Sequence, residues 1–532
     1  MSKEKMYQNP ILPGFYPDPS VCRVGEDFYL VTSSFVYFPG VPIFHSRDLV
    51  HWEQIGNVLN RRSQAEFGTQ HHSGGIYAPT LRYHNGTFYL ITTNVGAGGN
   101  FVVTAKDPAG PWSEPHFFEG APDIDPSLFF DDDGKAYYIG TRQKKEDSRY
   151  FGDNQIWMQE FDLDTLKLVG DVHVLWEGAL KNAVWPEGPH LYKKDGYYYL
   201  MIAEGGTEHN HSVTMARSKE ITGPYEGNPA NPVLTHRHLG LDYPIVNVGH
   251  GDLVDTPDGQ WYMVLLGSRT YGGYYRNLGR ETFLVPVEWE NGWLIVNRGV
   301  GLVEKYHKVP NLPETIYPDK PACDHFDDAV LDDKWLTLRN VADGVVSVTE
   351  RKGYLRLHTI PEKLTDPCAP SFVCLRQQHI DFSARTALEF KPAGDNEVAG
   401  MAIVQSDTYQ YRLEYGMTNG STVVRVVKCE AGEESVLAEK PFAAERVYLH
   451  IQQNGQELRF YYGETAAKEQ LLLDGADARI LSTDVAGGFV GNCMGMYTSS
   501  NGSASDNYAD FDYFEYTGRD EKTLLAVSGG FG

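Results

Sequence analysis

Across residues 10–305 the chain repeats one pattern of polar and apolar positions: a polar or acidic start, a short apolar strand, a tight turn, then an aromatic strand. It reads Pro17-Asp18-Pro19-Ser20-Val21 before FYLVTSS, Ala78-Pro79-Thr80-Leu81 before TFYLITTN, and Asp125-Pro126-Ser127-Leu128 before KAYYIGT. It returns as Pro186-Glu187-Gly188-Pro189-His190-Leu191 before YYYLMIAEG, and as His250-Gly251-Asp252-Leu253 before QWYMVLLGS. The turns between the strands are Asn-Gly, Asp-Gly or close to it, a strong short-range hairpin signal. The anchors Val21, Leu81, Leu128, Leu191 and Leu253 stand 60, 47, 63 and 62 residues apart. Several strands per unit at that period is the spacing of propeller blades, and five units predict a five-bladed β-propeller over residues 1–305. Amphipathic helical windows are almost absent between the hairpins, which argues against an eight-stranded α/β barrel.

Residues 306–325 (YHKVPNLPETIYPDKPACDH) carry four prolines and read as an extended linker. Beyond it, short alternating strands such as YLRLHT, TALEFKP, YQYRLEYG and ADFDYFEYTG follow one another, separated by Gly, Asn and Asp turns. That pattern predicts a β-sandwich over residues 326–532. The fold class is therefore all-β.

Composition sharpens this. A length of 532 residues would suit two to four domains at roughly 150 residues each, and the repeat reduces the number to two. With 46 Lys+Arg against 71 Asp+Glu the net charge is −25, which excludes a nucleic-acid partner that needs clustered cations. No stretch approaches the length of a spanning helix, and the N-terminal residues MSKEKMYQNPILPGF lack a secretory apolar run. The six cysteines show no C-x-x-C and no metal-ligand spacing. They are expected as reduced thiols of a cytoplasmic protein.

In a propeller the starts of the innermost strands converge on the axis. Three positions before the anchors stand Asp18, Ala78, Asp125, Gly188 and His250, with Glu187 one residue before Gly188. Singly, an aspartate beside proline is a turn residue. Recurrence at one register in separate blades points instead to a shared site. Two carboxyl groups across a neutral pocket suit glycoside hydrolysis, one protonated to serve the leaving oxygen and one ionised to activate water or attack. Glu187 follows Trp185 and Pro186, an apolar approach that raises its pKa and suits the acid. Asp18 is then the candidate base, and Asp125 a like charge that helps keep Glu187 protonated. Phe35, Phe38, Tyr77 and Trp185 lie near the same strand ends and are placed to stack on sugar faces; blade core is the bland alternative for each.

These residues resemble glycoside hydrolase family 43. The strings GFYPDPSVCR, GGIYAPTLRY, DIDPSLFFDDDG, WPEGPHLY, GHGDL and YYRNLGRETFLVPVEW carry the resemblance, which covers nearly the whole chain. It is nearest to the two-domain β-xylosidases and α-L-arabinofuranosidases, which implies a concanavalin-like jelly roll for the C-terminal sandwich. The resemblance implies an exo-acting, inverting enzyme with Asp18 as general base, Asp125 as pKa modulator and Glu187 as general acid. It places Arg280 on a hydroxyl of the terminal sugar and Phe35 on the family's aromatic position. His250 matches an axial histidine that in some members holds a water or a calcium ion, while no cofactor is required. Tyr77 departs from the family, whose common motif has tryptophan there. The resemblance leaves two glycones open, terminal β-1,4-linked D-xylose or α-L-arabinofuranose. The expected partner is a small oligosaccharide, with neither membrane nor nucleic acid involved, and a homo-oligomer is compatible.

Other strings are set aside. His209-Asn210-His211 spells a nuclease triplet without its fold, His71-His72 lacks a second ligand pair, and Asp131-Asp132-Asp133-Gly134 lacks the spacing of a calcium loop. The motifs of fructan-acting hydrolases differ at all three acidic sites. A non-catalytic sugar-binding propeller is the alternative from another class; it would have no need of three axial carboxylates.

Overall fold

The computed structural model describes residues 5–318 and 320–520. Five four-stranded antiparallel sheets stand in chain order as blades, over residues 20–59, 80–117, 127–176, 187–227 and 245–296. The hairpin chemistry read from the sequence is what closes them. Asn85-Gly86, Asp195-Gly196 and Asn291-Gly292 each take left-handed φ at both positions, as two-residue turns matched to the twist of their strands require. The ring is closed by the N-terminal segment. Met6–Gln8 pairs with Tyr306–Lys308, Leu12 bridges Thr282, and the Asn9 amide donates to the Leu284 carbonyl at 2.9 Å. The start of the proline-rich segment is thus strand, and its far end, Cys323–Asp324, pairs into the sandwich. Proline there spaces two short sheet contacts that lay the segment along the surface.

The sandwich is two eight-stranded sheets. Alternate residues of both inner faces, including Trp335, Phe382, Leu413, Val426, Ile451 and Phe460, interdigitate between them. A second apolar face remains on one sheet, and an apolar sheet face must be covered. The propeller covers it. Phe15, Tyr37, Phe67, Leu338, Phe372 and Tyr497 form one core cluster spanning both domains, and Tyr37–Phe38 of the propeller pairs with Leu336–Leu338 as the edge strand of that sheet. Phe38 was one of the aromatics expected near sugar; this pairing holds it in the seam between the domains instead.

Buried ion pairs stitch the same seam. Arg276 donates to Asp484 at 2.8 Å, and the wholly buried Arg339 pairs with Asp407 at 3.0 Å while its Nε donates to the Gln70 carbonyl. An interface of this apolar and paired kind does not behave as a loose linker-joined contact. The two domains are one working unit.

Candidate active site

The register that repeats in the sequence repeats in the backbone. At the position three before the anchor, Asp18, Asp125, Gly188 and His250 take φ of 54°, 57°, 57° and 49°, so four of the five blades share a left-handed residue there. Phe35 and Trp185 do the same at 53° and 48°. For residues other than glycine such conformations cost on the order of 1–3 kcal/mol each and persist where the surroundings hold them. The kink falls just before the innermost strands of the first and third blades and as a register shift inside those of the fourth and fifth, and it brings Asp18, Asp125 and His250 to one cavity. Gly188 has a reason to be glycine, since a Cβ there would lie 3.0 Å from the His250 ring.

Of the residues singled out from the sequence, eight (Asp18, Phe35, Tyr77, Asp125, Trp185, Glu187, His250 and Arg280) line one cavity of about 890 Å³, and Phe38 does not. Its volume suits a small ligand. Asp18 is buried; Ser33 Oγ donates to its Oδ2 at 2.5 Å, Arg280 Nη1 to its Oδ1 at 3.1 Å, and His250 Nδ1 stands 3.8 Å from Oδ1. Burial would raise its pKa, but Arg280, His250 and the Ser33 hydroxyl together outweigh burial and hold it below the ordinary carboxylate value. Asp125 is differently supplied. One backbone donor, Gly188 N at 3.0 Å, reaches it, and burial with the neighbouring Asp18 charge pushes it up to about 6, against the pull of His250. Glu187 opens the innermost strand of the fourth blade, and no hydrogen bond within the described residues reaches its carboxyl. Burial first, then the charges of Asp125 and Asp18, raise it well above the usual glutamate value.

Aromatic groups form the walls. Phe35 meets Tyr77 edge-on at 5.7 Å, and the Arg280 guanidinium lies 5.8 Å from the Phe35 ring. Trp185 is packed between Gly152 and Gly206, where any Cβ would come within 3.0 Å of the indole, and meets Phe151 edge-on at 5.8 Å. Burial also pushes the Tyr77 phenol up to about 12, so it stays neutral.

Three further lining residues escaped the sequence reading. Thr207 accepts a hydrogen bond from Arg280 at 3.0 Å. His211, set aside as part of a false nuclease triplet, is buried in the cavity wall. Its Nδ1 donates to the Asn247 carbonyl at 2.8 Å, and burial lowers its pKa to about 4, so the ring is neutral with Nε2 unpartnered. The polar run Gly205–His211 between two strands of the fourth blade, Tyr197–Glu204 and Ser212–Ser218, was the available signal for both. Phe489 comes from the sandwich, stacks on Phe35 at 6.4 Å and lies 5.4 Å from the Arg280 guanidinium. Nothing local in the sequence marks it.

A calcium ion takes six to eight oxygen ligands. His250 offers the cavity an imidazole facing one carboxylate, and no group of three or more His, Cys, Asp or Glu among the described residues could hold a metal. The residues do not fit a directly bound calcium, and no chemistry is assigned to one. His72 is likewise engaged elsewhere, 3.1 Å from Asp407.

The cavity therefore holds one carboxyl whose pKa is driven up, one whose pKa is driven down, an arginine and aromatic walls, the arrangement that acid-base cleavage of a glycosidic bond requires. The model of Glycosyl hydrolases family 43 matches residues 7–294, and that of the Beta xylosidase C-terminal Concanavalin A-like domain matches residues 323–517. A xylosidase/arabinosidase of Butyrivibrio fibrisolvens is 49% identical over 511 residues, 95% of this chain and 98% of that protein. A non-reducing end alpha-L-arabinofuranosidase of Bacteroides ovatus is 41% identical over 96% of this chain and 95% of its own length. The crystal structure of a xylan beta-1,4-xylosidase from Bacillus halodurans superposes with a TM-score of 0.91 at 38% identity, covering 96% of this chain and 100% of that one.

Proposed function

The chain belongs to Glycosyl hydrolases family 43, and from that premise we propose that it is an exo-acting, inverting glycosidase releasing terminal β-1,4-linked D-xylose from xylo-oligosaccharides. One observation carries the assignment of roles: in a single cavity the pKa of Asp18 is driven down while that of Glu187 is driven up. Two carboxyl groups whose surroundings separate their pKa values divide into base and acid.

In this reading Asp18 accepts a proton from the water that attacks the anomeric carbon. Glu187 delivers its proton to the glycosidic oxygen as the carbon–oxygen bond to the leaving sugar breaks. Asp125 holds Glu187 protonated by like charge and orients it. Arg280, fixed by Asp18 and Thr207, presents donors to a hydroxyl of the terminal sugar, with Phe35, Tyr77, Trp185 and Phe489 against its faces. The seating of Phe489 over one wall supports cleavage at a chain end.

A second glycone, α-L-arabinofuranose, is favoured by relatives named for arabinose release; Tyr77, where the family commonly has tryptophan, alters the wall of the sugar site without choosing between the two. A non-catalytic sugar-binding role is disfavoured, because a binding site gains nothing from a half-buried carboxyl that has no hydrogen-bond partner among the described residues. All six cysteines are free thiols, which supports work on short oligosaccharides in a reducing compartment.

Comparing cleavage of 4-nitrophenyl β-xyloside, 4-nitrophenyl α-arabinofuranoside, xylobiose and arabinoxylan oligosaccharides, with proton NMR of the first-formed anomer, tests the proposal. Xylose released from β-linkages as the α-anomer is the expected result. Release of the β-anomer, or no release from any of the four, overturns it.

A further inference from the structure

The segment between the first and second blades, residues 70–77, is gripped from the sandwich at three successive points. Arg339 Nε donates to the Gln70 carbonyl at 2.7 Å, the Asp407 backbone N–H donates to His72 Nδ1 at 3.0 Å, and the Phe489 N–H donates to Ser73 Oγ at 2.8 Å. Inside the segment, Gln70 Oε1 accepts from Gly75 N at 2.7 Å, and Tyr77 OH donates to the Ser73 carbonyl at 2.8 Å. Ile76 then exchanges backbone hydrogen bonds with Phe35 at 2.9 and 3.0 Å. Three aromatic walls of the cavity thus take their positions from one buried segment: Phe35 through Ile76, and Tyr77 and Phe489 through the two oxygens of Ser73. The approach at Ser73 is tight. Gly488, at φ of 80°, lies so close that a Cβ would collide with Ser73 Oγ.

We propose that Ser73 is a positioning residue that registers Phe489 of the sandwich against Tyr77 of the propeller and so sets discrimination between six- and five-membered glycones. The proposal rests on the glycosidase reading above. Its physical basis is that Ser73 touches neither the carboxyl groups nor Arg280 yet fixes the separation of two rings that meet edge-on at 6.0 Å. A pyranose is a wide, flat body and a furanose a narrower one, so a small change in that separation weighs on the two unequally. The Tyr77 hydroxyl is committed to the Ser73 carbonyl, which leaves the ring face rather than the phenol for the sugar.

Ser73→Ala leaves the Phe489 N–H without its acceptor in a part-buried position, which frees the Phe489 backbone from its register with Ser73. Expected is a rise in KM of about tenfold, and a shift of about fivefold in the ratio of kcat/KM for 4-nitrophenyl β-xyloside to that for 4-nitrophenyl α-arabinofuranoside, with kcat nearly kept. The second measurement is a double-mutant cycle between Tyr77→Phe and Phe489→Ala. Their effects on the ratio should be non-additive with Ser73 present and additive in Ser73→Ala. An unchanged ratio, a uniform loss of kcat on both glycosides, or coupling that survives Ser73→Ala overturns the proposal. If the unaltered enzyme cleaves neither glycoside, the functional reading has failed. The crystal structure of Ser73→Ala then decides separately, rings left in place refuting the register and displaced rings supporting it.

Discussion

Two sets of buried carboxyl groups lie near the propeller axis, and their surroundings drive them in opposite directions. In one, Asp252 receives Ser20 Oγ at 2.7 Å, Val21 N at 3.1 Å, Arg82 Nη1 and Nη2 at 2.8 and 3.1 Å, and Tyr192 OH at 2.6 Å. Arg82 also reaches His190 Nδ1 at 2.9 Å, so four blades meet on one acid. Burial would raise Asp252, but Arg82, His190 and Tyr192 hold it well below the ordinary carboxylate range. In the other set Asp125 has one backbone donor and the Glu187 carboxyl no bonded partner among the described residues, and both are raised. Burial is common to both, so the number of donors and cations supplied to each acid sets its charge. A saturated acid ties blades together, while a starved one holds a proton it can give away.

The largest effect that would break this comparison is on catalysis. Asp18→Asn should lower kcat by about 10²–10⁴ on every substrate, because the base is needed whatever leaves. Glu187→Gln should cost about as much on xylobiose and little on 4-nitrophenyl glycosides, whose leaving group needs no proton. Equal losses across substrates for both variants would reverse the assignment. Glu187→Gln should leave Tm unchanged, whereas Asp18→Asn removes the charge that faces the buried Arg280 and should lower it. Asp252→Asn is the counterpart. Leaving Arg82 buried against a neutral partner should cost about 3–5 kcal/mol of stability, seen as a lower melting temperature by calorimetry. An Asp252→Asn enzyme that melts with the parent but has lost kcat would make the hub part of the reaction.

The next effect is on pH dependence. Glu187 acts as the protonated acid, so the rate falls as pH rises through its pKa, and Asp125 is one of the charges holding that pKa up. Asp125→Asn should therefore move the falling limb of kcat to lower pH, by about one unit. Stability moves the other way. Asp125 titrates near 6 when folded and lower when unfolded, so the folded chain binds the extra proton and loses stability as pH rises to about 6. The asparagine variant carries no such penalty. It should melt above the parent at pH 8 and lose that advantage near pH 4.

How much of this was legible in the sequence follows from the range of each interaction. The blades were legible because hairpins are set by adjacent residues such as Asn85-Gly86, and Asp18, Asp125 and His250 because a repeat carries them at one register, with Glu187 one residue ahead of it. Asp252 stood in the same repeat, one position before Leu253, but its partners Ser20, Arg82 and Tyr192 sit in three other blades, and no local pattern reveals which acid is saturated. Phe38 was misplaced for a related reason. An aromatic at a strand end reads alike whether it faces sugar or pairs with Thr337 three hundred positions away. Phe489 and Ser73 are joined only by the docking of two domains, which spacing along the chain does not encode.

The smallest predicted effect concerns what keeps the starved acids starved. Desolvation is the first cause of the raised pKa of both Asp125 and Glu187, and the cavity they line has walls from both domains. Phe489 lines the same cavity from the sandwich, stacked on Phe35 and held by Ser73. Phe489→Ala removes that ring and admits water. kcat/KM should fall about tenfold, on the order of what one aromatic contact contributes, and the falling limb of the pH profile should move to lower pH by less than the shift in Asp125→Asn. Asp252 is bonded wholly by propeller residues, so the melting temperature should move far less than in Asp252→Asn. A falling limb that stays fixed after Phe489→Ala would mean that the propeller desolvates its acids unaided, and that the sandwich contributes a wall for the sugar without influence on the proton.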